Sequence, residues 1–162
     1  MPIAVRTAEP RELDAADRVA RIAFGEYEAR FPEWIPLLRE GRPMARLAAD
    51  GEVLVADHDG AIVGAVAYLA PGRSKEPAFR PEWAVLRMMA VDPAHRGRGI
   101  ARALAEECAR RARRDGAASL ALYTSPAMKI AVELYVRMGF QRRSEIAPVV
   151  GMPAVVYELP LA

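Results

Sequence analysis

The chain has 162 residues, of which 52% are hydrophobic and 27% charged, and its formal net charge is +2. This length and balance indicate about one domain of a soluble globular protein, able to bury a core of its own. The small net charge excludes a general demand for a polyanionic partner, and the single cysteine, Cys108, excludes an internal disulfide framework.

The first third of the chain predicts one strand followed by helices. IAVRTA alternates apolar and polar residues, as a half-buried strand does. The next stretch, RELDAADRVARIAF, follows Pro10 and has an apolar stripe at helical spacing. A second helical stretch, EWIPLLREGRPMARLAA, contains Pro36, Gly41 and Pro43, so we expect it to be short and broken.

A β-hairpin is the clearest local signal in the chain. Two β-rich runs within EVLVADHDGAIVGAVAYLA flank Asp59-Gly60, a dipeptide that supplies the positive φ angles of a tight turn. The polar loop PGRSKEPAFRPE follows. WAVLRMMAV is then apolar nearly throughout, which predicts a strand that is covered on both faces.

The second half of the chain alternates helices with strands. Apolar residues at four-residue spacing, from Ile100 to Ala112, predict one face of a helix, and SLALYT predicts a buried strand. Ser125-Pro126 is expected to begin the next helix, and Gly139 to end it. The final strands, FQRRSEI and AVVYELPL, flank the loop APVVGMP. The order β-α-α-β-β-β-α-β-α-β-β predicts an α/β fold, with a mixed sheet covered by helices on both faces.

The turn between WAVLRMMAV and the following helix, HRGRGIARAL, has the features of an anion site. The first N–H groups of a helix have no partners within it, and the helix dipole adds positive charge there. Glycines let the backbone approach an anion closely, and Arg96, Arg98 and Arg102 add full charges. A phosphate or pyrophosphate fits this turn.

Three other interpretations of HRGRGIARAL fit the sequence less well. A P-loop requires Gly-Lys-Ser/Thr at the helix start, which is missing here, and a dinucleotide fingerprint requires glycine where Arg102 stands. A nucleic-acid surface would use the arginines that continue along the helix, but no aromatic residues interleave them, and Glu106 and Glu107 interrupt them. A solvated, Arg-rich helix start without any ligand also stays open.

Two motifs in the second half of the chain resemble those of the GCN5-related N-acetyltransferases, the GNAT family. RGRGIA is similar to that family's pyrophosphate-binding pattern, Arg/Gln-x-x-Gly-x-Gly/Ala, through Arg96, Gly99 and Ala101. The family's Ala-x-x-Leu-Tyr-x-x-x-Gly-Phe pattern is matched on the next helix by Ala131, Leu134, Tyr135, Gly139 and Phe140. The resemblance implies a GNAT-like fold, with a central mixed, largely antiparallel sheet of about seven strands and about four helices on both faces.

The resemblance implies acetyl-CoA as the cosubstrate, and no metal. In GNAT enzymes the strand before the pyrophosphate turn splays from its neighbour and its backbone binds the pantetheine arm of acyl-CoA. That role would fall to Met89, Ala90 and Val91. The pyrophosphate would be held by the turn and the start of the helix: Arg96, Gly97, Arg98, Gly99, Ile100, Ala101 and Arg102.

Acyl transfer to an amine needs both a proton acceptor and a proton donor. An amine of the lysine type has a pKa of about 10.4 and cannot attack while protonated, so a base or a desolvating pocket is required. The leaving CoA thiolate benefits from an acid, and the resemblance gives that role to Tyr135, with a packing residue as the alternative. Glu82, which opens its strand where related enzymes often have an acidic residue, is the candidate base, with a solvated strand-end charge as the alternative. A backbone N–H near Met89 is the expected oxyanion donor.

The acceptor site is expected on segments that vary within the family. Tyr27, Phe31 and Trp34 have the spacing of packed helical residues, but the segment between the first two helices often lines the GNAT acceptor site, so they are candidate substrate-binding residues. The loop APVVGMP is the other expected wall. The chain departs from the family at two positions: Arg87 replaces a strand carboxylate of several relatives, and Met128 replaces an Asn that touches the CoA arm.

We therefore expect an acetyl-CoA-dependent N-acetyltransferase that transfers the acetyl group directly to a primary amine of a small molecule or peptide. The alternatives are a non-catalytic acyl-CoA-binding sensor of the same fold and a basic nucleic-acid-binding module. MPIAVRTAEP lacks the apolar core of a signal peptide, and the longest apolar run is far shorter than the roughly 20 residues of a membrane helix. We accordingly expect one GNAT domain over residues 1–162 in the cytoplasm, without nucleic-acid or membrane partners, and the resemblance also allows a homodimer.

Overall fold

The computed structural model describes residues 2–74 and 76–161. Its strands are β1 (Ala4–Thr7), β2 (Glu52–His58), β3 (Ala61–Leu69), β4 (Trp83–Val91), β5 (Ser119–Thr124), β6 (Gln141–Val149) and β7 (Met152–Pro160). They form one seven-stranded sheet in the order β1-β2-β3-β4-β5-β7-β6. Neighbouring strands are antiparallel except β4 and β5, which are parallel. The predicted fold class is therefore confirmed.

The helices are α1 (Leu13–Phe24), α2 (Trp34–Arg39), α3 (Pro43–Leu47), α4 (Ile100–Arg114) and α5 (Lys129–Arg137). Short 3₁₀ turns cover Pro10–Glu12, Gly25–Tyr27 and Pro93–His95. The second helical stretch is broken, as its sequence predicts, because Arg42 has a φ of 46° between α2 and α3. Within the described ranges, no helix combines the length and the apolar character needed to cross a membrane.

Helices cover both faces of the sheet. The alternation of β2 shows the two layers, since Leu54 contributes to the apolar cluster under α4 and α5, whereas Val53 contributes to the cluster under α1, α2 and α3. The predicted apolar face of α4, from Ile100 to Ala112, is buried in the first of these clusters. Full burial of a single leucine such as Leu104 contributes about 1.5–3 kcal/mol.

The start of α4 lies close against the sheet because Gly64 of β3 is beneath its first turn. A Cβ at Gly64 would lie 2.9 Å from Cγ2 of Ile100 and 3.1 Å from Cδ1 of Leu104. A side chain at that position would push the helix away from β3. Gly64 therefore fixes the position of the α4 N-terminus relative to the strands.

β4 and β5 form a fork. Their register pairs join only residues 83–85 to residues 119–121. β4 nevertheless stays paired with β3 as far as Val91, and β5 stays paired with β7 as far as Thr124. Beyond Val85 and Ala121 the two strands therefore separate. The open end of the fork is the end from which the chain leaves β4 toward α4 and β5 toward α5.

The predicted start of the helix after β5 is wrong. α5 begins at Lys129 rather than at Pro126. Ser125 Oγ accepts a hydrogen bond from the Ala127 N–H at 3.2 Å, so this serine closes a turn before the helix instead of capping it.

The predicted loop APVVGMP is also wrong, because most of it is strand. β6 continues to Val149, and only Val150 and Gly151 turn, with φ angles of 49° and 78°. Pro148 is tolerated within β6 because this strand lies at the edge of the sheet, where a missing N–H leaves no partner unpaired. The last hairpin therefore reaches further along the sheet than the sequence indicates.

Candidate active site

A cavity of about 120 Å³ lies in the open end of the β4–β5 fork. Its walls come from segments that are far apart in the sequence. The lining residues are 86–89 of β4, 123–125 at the end of β5, Met128, Ala131 and Tyr135 of the α5 segment, Val149, Val150 and 152–154 of the β6–β7 hairpin, Phe24 at the end of α1, and Trp34 at the start of α2. The two acceptor walls expected from the sequence thus meet the fork through Trp34 and through the hairpin.

Methionine dominates the apolar part of this lining. Four of the seven methionines of the chain, Met88, Met89, Met128 and Met152, line the cavity. Because methionine is flexible and polarizable, such a wall adapts to apolar groups of different shapes. Met128 stands where many relatives have Asn, and its Sδ lies 3.7 Å from Thr124 Oγ1. An apolar wall therefore replaces the polar contact expected of that Asn.

A β-bulge shapes the β4 side of the fork. The register between β3 and β4 shifts between Ala65 and Ala67, and Met88 has a φ of 58°. A non-glycine residue in this region of the backbone map is uncommon and costs about 1–3 kcal/mol, and such residues cluster at functional sites. The bulge interrupts the alternation of the strand, so that Met88 and Met89 both face the cavity. The backbone N–H that it frees from the ladder is a candidate oxyanion donor.

The inner edge of β4 is available to a ligand. Ala90 and Val91 pair with Ala65 and Gly64 of β3, on the side away from β5. On the fork side, residues 86–91 have no register pair with β5. Backbone groups of β4, including those of Met89, therefore face the fork without a strand partner.

The N-terminus of α4 forms an open cradle. Gly97 and Gly99 have φ angles of 78° and 75°, and no atom lies within 4 Å of the position that a Cβ would occupy at either glycine. Ala103 N–H donates to Gly99 O at 3.0 Å. In the described residues, the N–H groups of Ile100 and Ala101 have no partner, and they point out of the helix end, where the dipole favours an anion.

The three arginines of this turn differ in their partners. Arg96 makes two hydrogen bonds of 3.0 Å to the carboxylate of Glu26, and Arg102 contacts Glu106 at 2.8 Å. Arg98 has no ion pair within residues 2–74 and 76–161. Both ion pairs are exposed, so they are worth at most about 1 kcal/mol and a bound anion can replace them.

Tyr135 is a buried residue whose hydroxyl is free. Its side chain is 4% exposed, lines the cavity, and packs edge-on against Phe140 with ring centroids 5.4 Å apart. No hydrogen bond from its hydroxyl exists among the described residues. Burial raises the pKa of Tyr135, with a smaller contribution from the thiol of Cys108, so the hydroxyl stays protonated. Cys108 is itself fully buried, and burial raises the pKa of its thiol, as expected of a structural cysteine.

Arg87 stands where several relatives have a strand carboxylate, and it has an acidic partner outside its strand. It forms an ion pair with Glu76, and its guanidinium lies 4.9 Å from the centroid of the Tyr123 ring. The Tyr123 hydroxyl lies 3.5 Å from the same carboxylate, and burial raises the pKa of Tyr123 to about 12. Glu76 was not identified from the sequence, because nothing in the loop PGRSKEPAFRPE distinguishes it from a solvated charge.

Glu82, the candidate base, lies apart from Tyr135. Its side chain is 54% exposed, and it lies 4.0 Å from Arg80, just before β4 and at the closed end of the fork. Four residues of extended strand, about 13 Å, separate it from Leu86, the first β4 residue of the cavity wall. The structure therefore does not bring Glu82 together with the other candidate catalytic residue.

Of the three candidate substrate-binding residues, Trp34 lines the cavity and stacks on Phe24 with ring centroids 5.2 Å apart. Tyr27 and Phe31 pack at the edge of the same apolar cluster without reaching the cavity. The region after α1 is a 3₁₀ turn followed by further turns rather than a helix, so the helical spacing of these aromatic residues does not put them on one face.

Comparison with known proteins identifies the class to which this fold and fork belong. Residues 15–140 match the acetyltransferase (GNAT) family. The chain therefore belongs to the GNAT acetyltransferase family, as its two motifs indicate.

Individual relatives agree with this assignment. N-acetyltransferase family 8 member 2 of Rattus norvegicus is 38% identical over 96 residues, which is 59% of this chain and 41% of that protein. The match thus spans less than half the length of that relative. The fold resembles the PaiA N-acetyltransferase of Thermoplasma acidophilum in complex with coenzyme A, with a TM-score of 0.75, 17% identity and coverage of 99% of this chain and 100% of that chain. It also resembles the ribosomal-protein-S18-alanine N-acetyltransferase of Escherichia coli, with a TM-score of 0.71, 18% identity and coverage of 98% and 94%.

Proposed function

We propose that the chain is an acetyl-CoA-dependent N-acetyltransferase that transfers the acetyl group directly to a primary amine of a small molecule or peptide. The observation that carries the proposal is that three features lie toward the open end of one fork: the open cradle at the start of α4, the unpaired edge of β4, and the hydroxyl of Tyr135 in the cavity lining. Membership of the GNAT family supports the same activity.

The donor site fits the chemistry of an acyl-CoA. A pyrophosphate is an anion that accepts hydrogen bonds, and Ile100 and Ala101 offer unpartnered N–H groups beside the free guanidinium of Arg98. The open space over Gly97 and Gly99 leaves room for it. The pantetheine arm contains amide groups, which can pair with the free edge of β4 as another strand would. Within the described ranges, no three His, Cys, Asp or Glu side chains are grouped so that they could hold a metal ion.

The bonds and protons of the transfer step balance without a further reactant. The amine nitrogen attacks the thioester carbonyl, a C–N bond forms, the C–S bond breaks, and the negative charge that develops on the carbonyl oxygen is stabilised by the freed backbone N–H at the Met88–Met89 bulge. Tyr135 donates its proton to the departing sulfur. Burial holds the pKa of Tyr135 high, so a phenolate at this position is unfavourable. The Tyr135 hydroxyl therefore gives up its proton only as a second proton reaches the phenol oxygen. The attacking nitrogen supplies that proton as it becomes an amide.

The role of Glu82 as general base stays a prediction, and its exposed position at the closed end of the fork gives it no support. The single domain over residues 1–162 and the cytoplasmic location are likewise proposals. The continuous seven-stranded sheet supports the former, and the single buried cysteine is consistent with the latter.

One observation favours a second function. Arg87 replaces a carboxylate at the strand position where several relatives have one, which is what a non-catalytic acyl-CoA sensor of the same fold would tolerate. Such a sensor would bind acetyl-CoA and leave the thioester intact.

A thiol-release assay with acetyl-CoA and a broad panel of amines separates the two functions. We expect release of CoA thiol that depends on the amine, together with an N-acetylated product detected by mass spectrometry. Acetyl-CoA binding by calorimetry without amine-dependent thiol release would identify the sensor instead. A Tyr135→Phe variant should lose thiol release while it keeps acetyl-CoA binding.

A further inference from the structure

The lining of the fork cavity has few side chains that ionise and no negative charge among the described residues. Apart from Arg87, the groups of the lining that ionise are the hydroxyls of Tyr123 and Tyr135, and both hydroxyls stay protonated because burial raises their pKa. Among the residues described, no carboxylate, imidazole or ammonium group lines the cavity. The only charge on its wall is therefore positive.

Two carboxylates lie near the cavity without lining it. Glu76 lies behind Arg87, with which it forms an ion pair, and within 3.5 Å of the Tyr123 hydroxyl. Glu33 is exposed and lies against Gly151 of the last hairpin, where its carboxylate occupies the place that a Cβ at Gly151 would take. Cys108, behind Tyr135, is a protonated thiol because its pKa is raised. No negatively charged group of the described lining thus faces an amine inside the cavity. Glu76 and Glu33 act on the cavity only from outside its wall.

Such a lining selects between the two protonation states of an amine. An ammonium ion loses its hydration on entering an apolar cavity, which disfavours binding strongly unless a counter-charge compensates. Here the facing charge is the guanidinium of Arg87, which offers an ammonium ion no counter-charge, and the carboxylate of Glu76 is already paired with that guanidinium. A neutral amine loses less hydration and needs no counter-charge, and its apolar body gains contact with the four methionines and with Trp34.

The proton balance of the transfer step leads to the same preference. A neutral primary amine brings two N–H protons to the reaction: one stays on the amide nitrogen, and the other replaces the proton that Tyr135 gives to the CoA sulfur. The overall step then needs no further proton acceptor. An ammonium brings a third proton, for which the described lining has no base.

From these observations we infer that the acceptor is a weakly basic amine with an apolar body, and that the cavity binds it as the uncharged free base. The inference rests on the proposed function, since it names the substrate class of the same site. Amines of this class have an electron-withdrawing neighbour, such as an aryl ring, an adjacent oxygen, or the carbonyl group of an amino ester or amide. The cavity holds a volume of about four waters at about 30 Å³ each, and the acetyl end of the donor shares it, so a larger acceptor body requires the methionine side chains to move.

The test is a series of amines that share one apolar body and differ in the pKa of their conjugate acids. The value of kcat/KM is measured for each amine between pH about 6 and 9, a range in which free carboxylates stay ionised. We expect the rising limb of each profile to follow the pKa of the amine itself, unit for unit. For the most weakly basic amines the profile should vary by less than about twofold, because these amines are neutral throughout the range.

Three variants, each of which removes one charge, complete the experiment. Glu76→Gln and Glu33→Gln should show the limb at the same pH as the unchanged chain for each amine. Arg87→Gln should raise kcat/KM for a strongly basic amine relative to a weakly basic one, because the positive charge is gone and the Glu76 carboxylate loses its partner. A limb at one fixed pH for all amines, or a limb that disappears in either glutamate variant, would overturn the inference and identify a protein base. Acetylation of none of the amines would contradict the proposed function itself, and the inference with it.

Discussion

The guanidinium of Arg96 and the carboxylate of Glu26 face each other in a two-pronged ion pair, with both hydrogen bonds at 3.0 Å. Arg96 belongs to the turn before α4, and Glu26 lies in the 3₁₀ turn at the end of α1. The carboxylate therefore occupies a hydrogen-bond donor of the proposed pyrophosphate site. Binding of the donor has to displace or share this carboxylate.

Replacement of that carboxylate should tighten donor binding. In Glu26→Gln the competing charge is gone, and an exposed ion pair is worth at most about 1 kcal/mol, so we expect acetyl-CoA affinity to rise by up to about fivefold. Isothermal titration calorimetry measures it. Glu145→Gln, which removes a more exposed partner of Arg142 on the edge strand, should leave the affinity unchanged. Weaker binding in Glu26→Gln would mean that the carboxylate instead holds Arg96 in place for the donor.

Removal of the Tyr135 hydroxyl should lower catalysis without lowering the stability of the fold. Tyr135→Phe removes a hydroxyl that has no protein partner within the described ranges, so folding should be unaffected, while kcat should fall by about 100-fold or more as the proton donor is lost. Acetyl-CoA affinity should stay the same. The measurements are steady-state kinetics, calorimetry and urea unfolding.

Tyr68→Phe is the matched control for that variant. The hydroxyl of the buried Tyr68 donates to Asp115 at 2.8 Å in a partly buried hydrogen bond, so its removal should cost about 1 kcal/mol of unfolding free energy and leave kcat unchanged. Equal kcat values for Tyr135→Phe and the unchanged chain would reduce Tyr135 to a packing residue.

The parts of the fold that were predicted correctly depend on neighbours in sequence. The Asp59-Gly60 turn has the φ angles of 52° and 86° that its residues favour, and the apolar face of α4 is buried as its spacing indicates. Turn chemistry and helical periodicity are both local, so the sequence contains them in full.

The parts that were missed depend on partners far away in the chain. Glu76 comes next to the site only because Arg87 and Tyr123 converge on it from two strands. Glu82 directly precedes the strand that contributes to the cavity wall, but the fork opens at the other end of that strand. Without the family resemblance, a single sequence does not reveal at which end two parallel strands separate.

Acid should weaken the fold through Glu12. The Arg6 guanidinium, with the Glu9 N–H, lowers the pKa of Glu12 from 4.5 to about 2 in the folded chain. A depressed folded pKa contributes stability that is fully present above the unfolded pKa and is lost as pH falls through the folded one. The contribution of Glu12 should therefore decline as pH falls from about 4.5 to about 2.

Urea unfolding of Glu12→Gln over this pH window tests that assignment. The difference in unfolding free energy between the unchanged chain and Glu12→Gln should be largest near neutral pH and shrink toward pH about 2. Glu133→Gln, at an exposed position of α5, should give a small difference at every pH. A Glu12→Gln difference that is constant with pH would show that the Arg6–Glu12 pair does not depress the pKa.

The central claim is that the cradle at the start of α4 holds the pyrophosphate of acetyl-CoA, and a pair of glycine variants tests it most directly. Gly99 and Gly116 lie at opposite ends of α4, with φ angles of 75° and 72° and open space where a Cβ would be. Gly99→Asp and Gly116→Asp therefore introduce comparable backbone strain, about 1–2 kcal/mol, and the same charge.

Calorimetry of acetyl-CoA binding to these two variants gives the decisive result. We predict that Gly99→Asp weakens binding by about 100-fold or more, because charge-assisted hydrogen bonds are lost and a carboxylate is placed beside the pyrophosphate, whereas Gly116→Asp binds as the unchanged chain does. Equal acetyl-CoA affinity in Gly99→Asp and Gly116→Asp would contradict the account, since the donor would then be held elsewhere.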